Sequence, residues 1–237
     1  MYINPKWILV DALRNWLTDP RSTRTYTATS DTFTATAAQT EFSLSPSSGK
    51  TVSHITSVTI DGSSTNAKKW RDYYIDFRAE KVIFFSGLSA GEELIVNYKE
   101  SSTNWIYWDK PNEKLTELSF PRLDVQAVAG SGSRLGEYKA PVESVIQFQV
   151  DVWCKEKEAN QIFTISSRAY TGNDLAEYLA YQVMEALEDN ENDLHPALYD
   201  YTPTQTPPRD LPFNVEYQAH HKIVEFILKG IKLGRTS

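Results

Sequence analysis

The segment from Pro141 to Lys157, PVESVIQFQVDVWCKEK, constrains the fold more than any other part of the chain. Its side chains alternate between a more polar face (Val145, Gln147, Gln149, Asp151) and an apolar face (Ile146, Phe148, Val150, Val152). Such alternation among β-branched and aromatic residues predicts a half-buried strand. From Asp174 to Leu187 apolar residues instead recur at helical spacing, which predicts an amphipathic helix. We therefore expect a long central strand with this helix packed on its apolar face.

Segments far apart in the chain complete the same predicted domain. Asn4-Pro5 is a helix-start signal and Asp19-Pro20 a stop signal, with an apolar stripe between them. Further strand candidates are Trp105–Trp108, Leu118–Val125, Phe213–Tyr217 and Ile223–Leu233. Residues 1–24 and 101–237 are thus predicted to form a split α+β domain, a mainly antiparallel sheet with two helices packed on one face.

Residues 25–100 differ from this pattern and are predicted to form an inserted all-β sandwich. Ser, Thr, Ala and Gly dominate from residue 22 to residue 66, and no helical periodicity returns until after residue 170. Short strand patterns are separated by turn signals such as Asp61-Gly62. The predicted strands are Thr32–Thr36, Thr40–Leu44, Ile55–Ile60, Tyr73–Phe77, Lys81–Phe85 and Glu93–Tyr98.

The composition argues against several function classes. The formal net charge is −7, which gives no counterion-release drive toward DNA, and no apolar run reaches the roughly 20 residues of a membrane helix. The single cysteine, Cys154, rules out an internal disulfide and a multi-thiolate metal site. His220 and His221 are adjacent, so on a strand they would point to opposite faces and chelate poorly. We predict no catalytic residues, no metal site and no cofactor.

Two segments are predicted to be irregular. Residues 130–136, GSGSRLG, are rich in glycine but lack the Gly-Lys-Ser/Thr of a phosphate-binding loop, so they are interpreted as a flexible loop or a hairpin. Residues 195–212, HPALYDYTPTQTPPRDLP, are proline-rich and are interpreted as an extended connector or arm outside the core. An acidic run from Glu185 to Asp193 lacks the ligand order of a calcium loop and is interpreted as a solvated helix end.

The β-rich segment resembles small β-sandwich modules found in virion proteins of tailed phages. The matching segments are FTATAAQTEFSLS, VSHITSVTIDG, YYIDFRAEKVIFF and LSAGEELIVNYKE. The residues that carry this resemblance are Phe33, Gln39, Thr40, Phe42, Leu44, Val58, Asp61, Gly62, Tyr74, Ile75, Ile83, Phe85, Ala90, Gly91 and Tyr98.

The remainder of the chain resembles the tail terminator, or tail-completion, proteins of long-tailed phages. The features that carry this resemblance are WILVDALRNWL, Phe120–Val125, Val145–Trp153, DLAEYLAYQVMEAL and Ile223–Ile231. The resemblance covers residues 1–24 and about 105–237. The insertion after the first helix departs from a minimal terminator, so a larger neck component is an alternative within the same class.

The resemblance implies a non-enzymatic virion protein at the head–tail junction. Such proteins form a ring, usually of six copies, that caps the tail tube and joins it to the head-completion or connector protein. DNA would pass through the lumen without sequence-specific binding, and no membrane partner is implied. Neighbouring copies would meet through two different surfaces. From the two irregular segments we expect subunit contacts at Ser131, Ser133, Arg134, Leu135, Tyr199, Tyr201 and Arg209.

Two other classes of function compete with this interpretation. In the first, the β-domain of a neck or minor tail protein binds a glycan or host surface through Trp70, Tyr73 and Tyr74, although aromatic residues on strands are more often part of a core. In the second, the chain is a hydrolase with a β-sandwich accessory domain. No nucleophile–base or metal-ligand spacing supports the hydrolase.

Overall fold

A computed structural model describes residues 5–21, 23–62, 66–108, 120–134, 142–156, 163–165, 167–190, 194, 198–204 and 207–232. The fold consists mainly of antiparallel sheets with two helices, an α+β arrangement. The chain divides into two compact units. One comprises Met1–Trp7 with Ser22–Asn104, and the other comprises Ile8–Arg21 with Trp105–Ser237. We call these unit 1 and unit 2.

Unit 1 contains six strands in two three-stranded sheets. The strands are β1 (Thr27–Thr34), β2 (Gln39–Ser43), β3 (Thr51–Ile60), β4 (Tyr73–Asp76), β5 (Lys81–Leu88) and β6 (Glu93–Ser101). One sheet has the order β1-β6-β3 and the other β2-β5-β4, and every pairing is antiparallel. The strands predicted from the sequence all occur, although β1, β3, β5 and β6 each have an end that differs from the prediction by three to five residues.

Aromatic side chains form much of the interior of unit 1. Phe42 contacts Phe33 and Phe84, with ring centroids 5.5 and 5.9 Å apart, and Tyr73 contacts Phe84 at 5.7 Å. Phe33 lies on β1 and Phe42 on β2, so the aromatic contacts link the two sheets. The Tyr98 hydroxyl donates a hydrogen bond to Asp31, and burial raises the Tyr98 pKa above its ordinary value.

The described residues form two helices, α1 (Pro5–Trp16), most of which belongs to unit 2, and α2 (Gly172–Asp189) of unit 2. Leu9 and Leu13 of α1 are fully buried, and the Arg14 guanidinium donates two hydrogen bonds to the carbonyl of Ile106, at 3.0 and 2.6 Å. Four residues of the predicted apolar stripe of α2 are buried, Leu175, Leu179, Val183 and Leu187, and two are half-buried, Tyr178 and Ala186. Ala176 and Ala180 are buried as well.

The main sheet of unit 2 has six strands. They are β7 (Ile106–Tyr107), β8 (Arg122–Arg134), β9 (Val142–Lys155), β12 (Leu198–Pro203), β13 (Arg209–Asn214) and β14 (Ala219–Lys232). A separate hairpin consists of β10 (Phe163–Ile165) and β11 (Arg168–Tyr170), which the sequence patterns did not predict. The strand order in the main sheet is β12-β14-β9-β8-β7, and β13 also pairs with β14. Only the short β7–β8 pairing is parallel.

The register of the long strands separates an apolar face from a polar face. Val150 pairs with Val224 and Phe148 with Phe226, and these four buried side chains share one face because directly opposed residues point the same way. The Phe148 and Phe226 rings stack at 5.7 Å. Helix α2 packs against β14 and β9.

The structure bears on the predictions about both irregular segments. Of the two interpretations of residues 130–136 it supports the hairpin and not the flexible loop, because Gly130–Arg134 continue β8 and pair with Val142–Ile146 of β9; residues 135 and 136 lie outside the described residues. Residues 195–212 are not only a connector, because they contain β12 and the start of β13, both paired with β14. Proline is tolerated there because these are edge strands, where a missing N–H need not break the ladder.

The closing strands also differ from prediction in position. The predicted strand Phe213–Tyr217 is instead β13, which begins at Arg209 and ends at Asn214, followed by a turn. The predicted strand Ile223–Leu233 begins earlier, at Ala219, and is described as far as Lys232. The central strand Val142–Lys155 agrees closely with the predicted segment.

Candidate functional site

The polar face of the six-stranded sheet carries a buried cluster of ionisable side chains. Asp124 of β8 lies opposite Asp151 of β9, and both are fully buried. His221 of β14 lies opposite Trp153 of β9 and is also buried. Residues at alternate positions on three adjacent strands therefore converge on one face. Burial of charged groups is costly unless they are paired, so their partners decide what the cluster does.

Asp151 is the most heavily bonded member of this cluster. One carboxylate oxygen lies 2.7 Å from Nε2 of His221 and accepts a hydrogen bond of 2.8 Å from Gln149. The other oxygen accepts a hydrogen bond from Gln126. The His221 ring stacks on Trp153, with centroids 3.6 Å apart and an interplanar angle of 13°. Asp151 is thus satisfied by three side chains of the same sheet, and the imidazole is held flat against the indole.

Arg122 and Asp124 form a second buried pair beside the first. The Arg122 guanidinium donates a hydrogen bond of 2.6 Å from Nε to the Asp124 carboxylate. The guanidinium carbon also lies 3.8 Å from the centre of the Tyr107 ring, within the range of a cation–π interaction. The parallel strand β7 therefore contributes an aromatic cover for the arginine.

A histidine beside a carboxylate can serve as a general base only if a proton to be abstracted lies within reach. The Asp151–His221 hydrogen bond occupies Nε2, one face of the ring is covered by Trp153, and His221 is buried, which limits access to its second nitrogen. Cys154 is buried, and it lies opposite His220 rather than His221, so it points to the other face of the sheet. Within the described ranges, no group of three His, Cys, Asp or Glu residues could hold a metal ion. The arrangement matches a structural network that fixes strand register.

A cleft of about 380 Å³ lies in unit 2. Three aromatic side chains contribute to its wall, Trp16 at the end of α1, Trp105, and Tyr178 of α2. The turn at Asp19 forms another side, where the Asp19 carboxylate accepts a hydrogen bond from the backbone N–H of Arg21. The volume falls within the range of small-ligand sites, and polar side chains also line the cleft.

The described residues among those predicted to make subunit contacts fall on three different strands. Ser131, Ser133 and Arg134 lie in β8, and Ser131 is exposed; Leu135 lies outside the described residues. Tyr199 and Tyr201 lie in β12.

Arg209 is the first residue of β13, is exposed and forms an ion pair with Glu225 at 2.7 Å. Tyr201 differs from the expectation of an exposed contact, because it is only 9% exposed and packs against Phe226 at 5.5 Å. Burial raises the pKa of Tyr201 to about 12.

Two of these strands, β8 and β12, lie towards opposite sides of one sheet. Strand β8 pairs with β9 along one side, and on its other side it pairs with β7 at Leu123–Asp124 alone. From Val125 to Arg134 no described strand pairs with that other side. Strand β12 pairs with β14 on one side, and no described strand lies on its outer side. Val128 of β8 is 55% exposed.

The aromatic residues considered for glycan binding are buried. Trp70, Tyr73 and Tyr74 are 7%, 2% and 8% exposed. A ring that stacks on a sugar must present its face to solvent. These three side chains therefore contribute to the interior of unit 1, as strand aromatics commonly do.

Sequence reasoning missed the buried polar network. Asp151 was identified only as a polar position of the central strand, and its partners lie on the two neighbouring strands, Asp124 on β8 and His221 on β14. One usable signal was present, since Asp124 and Asp151 each lie between apolar neighbours, Leu123 and Val125 or Val150 and Val152. No protein-family model and no curated protein sequence matches the chain. Of the helices in the described part of the chain, neither combines the length and apolarity needed to cross a membrane.

Proposed function

We propose that the protein is a non-enzymatic virion protein of the head–tail junction of a long-tailed phage or related virus. It forms a ring, of six copies, that caps the tail tube and joins it to the head-completion or connector protein. In this proposal the chain has the role of a tail terminator, the class of protein that its sequence pattern resembles. The ring is assembled in the host cytoplasm and ends in the neck of the virion.

The observation that supports this proposal most is the meeting of the terminator-like segments in one sheet. Phe120–Val125, Val145–Trp153 and Ile223–Ile231 are far apart in the chain, yet they contribute to three adjacent strands, β8, β9 and β14. Helix α2, which carries another matching segment, packs on two of these strands. In the proposed fold α1 shares the face covered by α2, and residues 25–100 form an inserted β-sandwich that decorates the neck.

The charges and surfaces of the chain suit such a ring. A net charge of −7 gives DNA no electrostatic reason to adhere, which suits a lumen through which DNA must move. A rotational ring also needs two different contact surfaces on each copy. The two open edges of the unit 2 sheet, on β8 and β12, provide surfaces of this kind.

Native mass spectrometry and negative-stain electron microscopy of the purified chain test the proposal. We expect one closed assembly of fixed copy number with a central opening, formed without any added cofactor. Addition of purified tail tubes should place this ring at one end of each tube. A chain that stays monomeric with tubes present and binds an oligosaccharide on a glycan array would refute the ring and support a glycan-binding neck or tail protein.

A further inference from the structure

The two open edges of the unit 2 sheet lie at the same level along the strands. Thr202 of β12 pairs with Ile227 of β14, which pairs with Gln147 of β9, which pairs with Ala129 of β8. The same path leads from Tyr201 to Gly130 and from Leu198 to Gly132. Residues Leu198–Pro203 of β12 therefore lie at the same position along the strand direction as residues Ala127–Gly132 of β8.

The directions of the strands also match. Each step from β8 through β9 and β14 to β12 is antiparallel, so β8 and β12 run in opposite directions. A copy related by rotation about an axis roughly along the strands keeps these directions. Its β12 would then approach β8 of the neighbouring copy as an antiparallel partner, at the level where both edges are open.

The β8 edge lacks two of the features that usually prevent strands from pairing with other chains, charged residues and prolines. It carries a third, a bulge between Ala127 and Ala129, so the regular part of the edge is Ala129–Gly132. From Gln126 to Ser133 strand β8 carries no charged residue and no proline. Ala127, Val128, Ala129, Gly130 and Ser131 are exposed, and their side chains are small, so another backbone can approach closely.

We propose that copies of this chain associate by edge pairing, in which β8 of one copy adds to β12 of the next and extends the sheet. The occupant of the open edge is thus a second copy, through residues Ala127–Gly132 and Leu198–Pro203. This proposal rests on the self-association in the proposed function and specifies its contact. Backbone hydrogen bonds supply the contact, as in β-strand addition elsewhere.

Disulfide trapping tests the pairing and its register. In a Cys154→Ala background, Ala129→Cys and Thr202→Cys together place thiols at exposed positions that the proposed pairing brings opposite each other. We expect oxidation to give a ladder of covalent multimers that stops at the size of the closed ring. The control combines Ala129→Cys with Asp210→Cys. Asp210 pairs with Lys222 of β14, five residues from Ile227, the partner of Thr202, so its thiol lies about 17 Å further along the edge formed by β12 and β13, at roughly 3.4 Å per residue. This variant should give no ladder.

The outcomes separate this proposal from the proposed function. A ring by native mass spectrometry without a ladder in the matched double variant would refute edge pairing and leave the ring intact. Dimers from Ala129→Cys alone would show β8 pairing with β8, which also refutes it. A monomer at the highest soluble concentration, and with tail tubes added, would refute both.

Proline substitutions give a second test that does not depend on thiols. Adjacent residues of a strand direct their N–H groups to opposite sides, so one of Gly130→Pro and Ser131→Pro removes an outward N–H and the other removes a bond to β9. Of these two variants, the one that keeps the melting temperature of the parent protein should associate at least about tenfold more weakly than the parent, which corresponds to a loss of 1.4 kcal/mol in association free energy. Parental association by that variant would overturn the proposal.

Discussion

Replacement of Asp151 by Asn should destabilise unit 2 by about 3 kcal/mol. The carboxylate is fully buried and accepts hydrogen bonds from His221, Gln149 and Gln126. Asparagine has nearly the same volume but loses the charge, and its NH2 group must face one of these donors. A hydrogen bond to a charged group contributes about 1.5–3 kcal/mol, and an unsatisfied buried donor costs about 1–3 kcal/mol. The lower ends of these two ranges add up to about 2.5 kcal/mol, which is close to the predicted loss of stability.

Urea unfolding followed by tryptophan fluorescence measures this loss, because Trp153 stacks on His221 at the site of the change. With a slope of about 1–3 kcal/mol/M, the midpoint should fall by roughly 1–3 M. Glu225→Gln is the matched control. The Glu225 side chain is bonded to Arg209 at 2.7 Å, and the two side chains are 22% and 43% exposed, so its replacement should cost less than about 1 kcal/mol. Equal losses in the two variants would refute the argument that burial gives the network its strength.

Three further predictions concern other parts of the fold. The backbone N–H of Ser47 and the ammonium of Lys50 lower the pKa of Glu100 from 4.5 to about 2, so the stability that the carboxylate provides is complete above pH 4.5 and is lost as the pH falls through about 2. Thermal melts by circular dichroism should therefore show less pH dependence between these values for Glu100→Gln than for the parent protein. Equal pH dependence in the two proteins would contradict this assignment. Gly87→Ala places a methyl group 2.7 Å from the Ala38 backbone and should destabilise unit 1 by about 1–3 kcal/mol in urea, whereas Gly130→Ala, with its nearest atom at 3.8 Å, should not weaken unit 2. Tyr201→Phe removes a buried hydroxyl with no partner in the described part of the chain, so the melting temperature should stay the same or rise, and a marked fall would reveal a missed hydrogen bond.

The long periodic elements could be predicted from the sequence because local pattern and tertiary burial agree there. Alternation from Val145 to Val152 and helical spacing from Leu175 to Leu187 each extend over enough residues to identify the element and its buried face. The strands of residues 25–100 were also predicted, since their turn signals mark them. The ends of these strands were less predictable, because hydrogen bonding to a neighbour extends a strand beyond its apolar pattern.

The edge strands and the buried polar network depend on partners that are distant in the chain. Gly130–Arg134 have little strand propensity and extend β8 because β9 lies beside them. Leu198–Pro203 and Arg209–Asn214 contain prolines and become strands through pairing with β14. His221 meets Asp151 across 70 residues, so no local pattern could connect them. Tyr201 lies in a segment that was predicted to lie outside the core, yet it is buried for the same reason, since Phe226 packs against it.

The central position of β14 has a consequence for the order in which unit 2 can fold. The strand pairs with β9, β12 and β13, yet it follows all three in the chain. At a synthesis rate of roughly 5–20 residues per second, Asp151 leaves the ribosome about 4–14 s before His221, which lies 70 residues later. During that time β9 presents an apolar strand without the neighbour that completes its sheet. Contacts so distant in sequence also slow the search for the native pairing. A nascent chain of this protein therefore depends on its own β14, or on a chaperone, to keep β9 from pairing with another molecule.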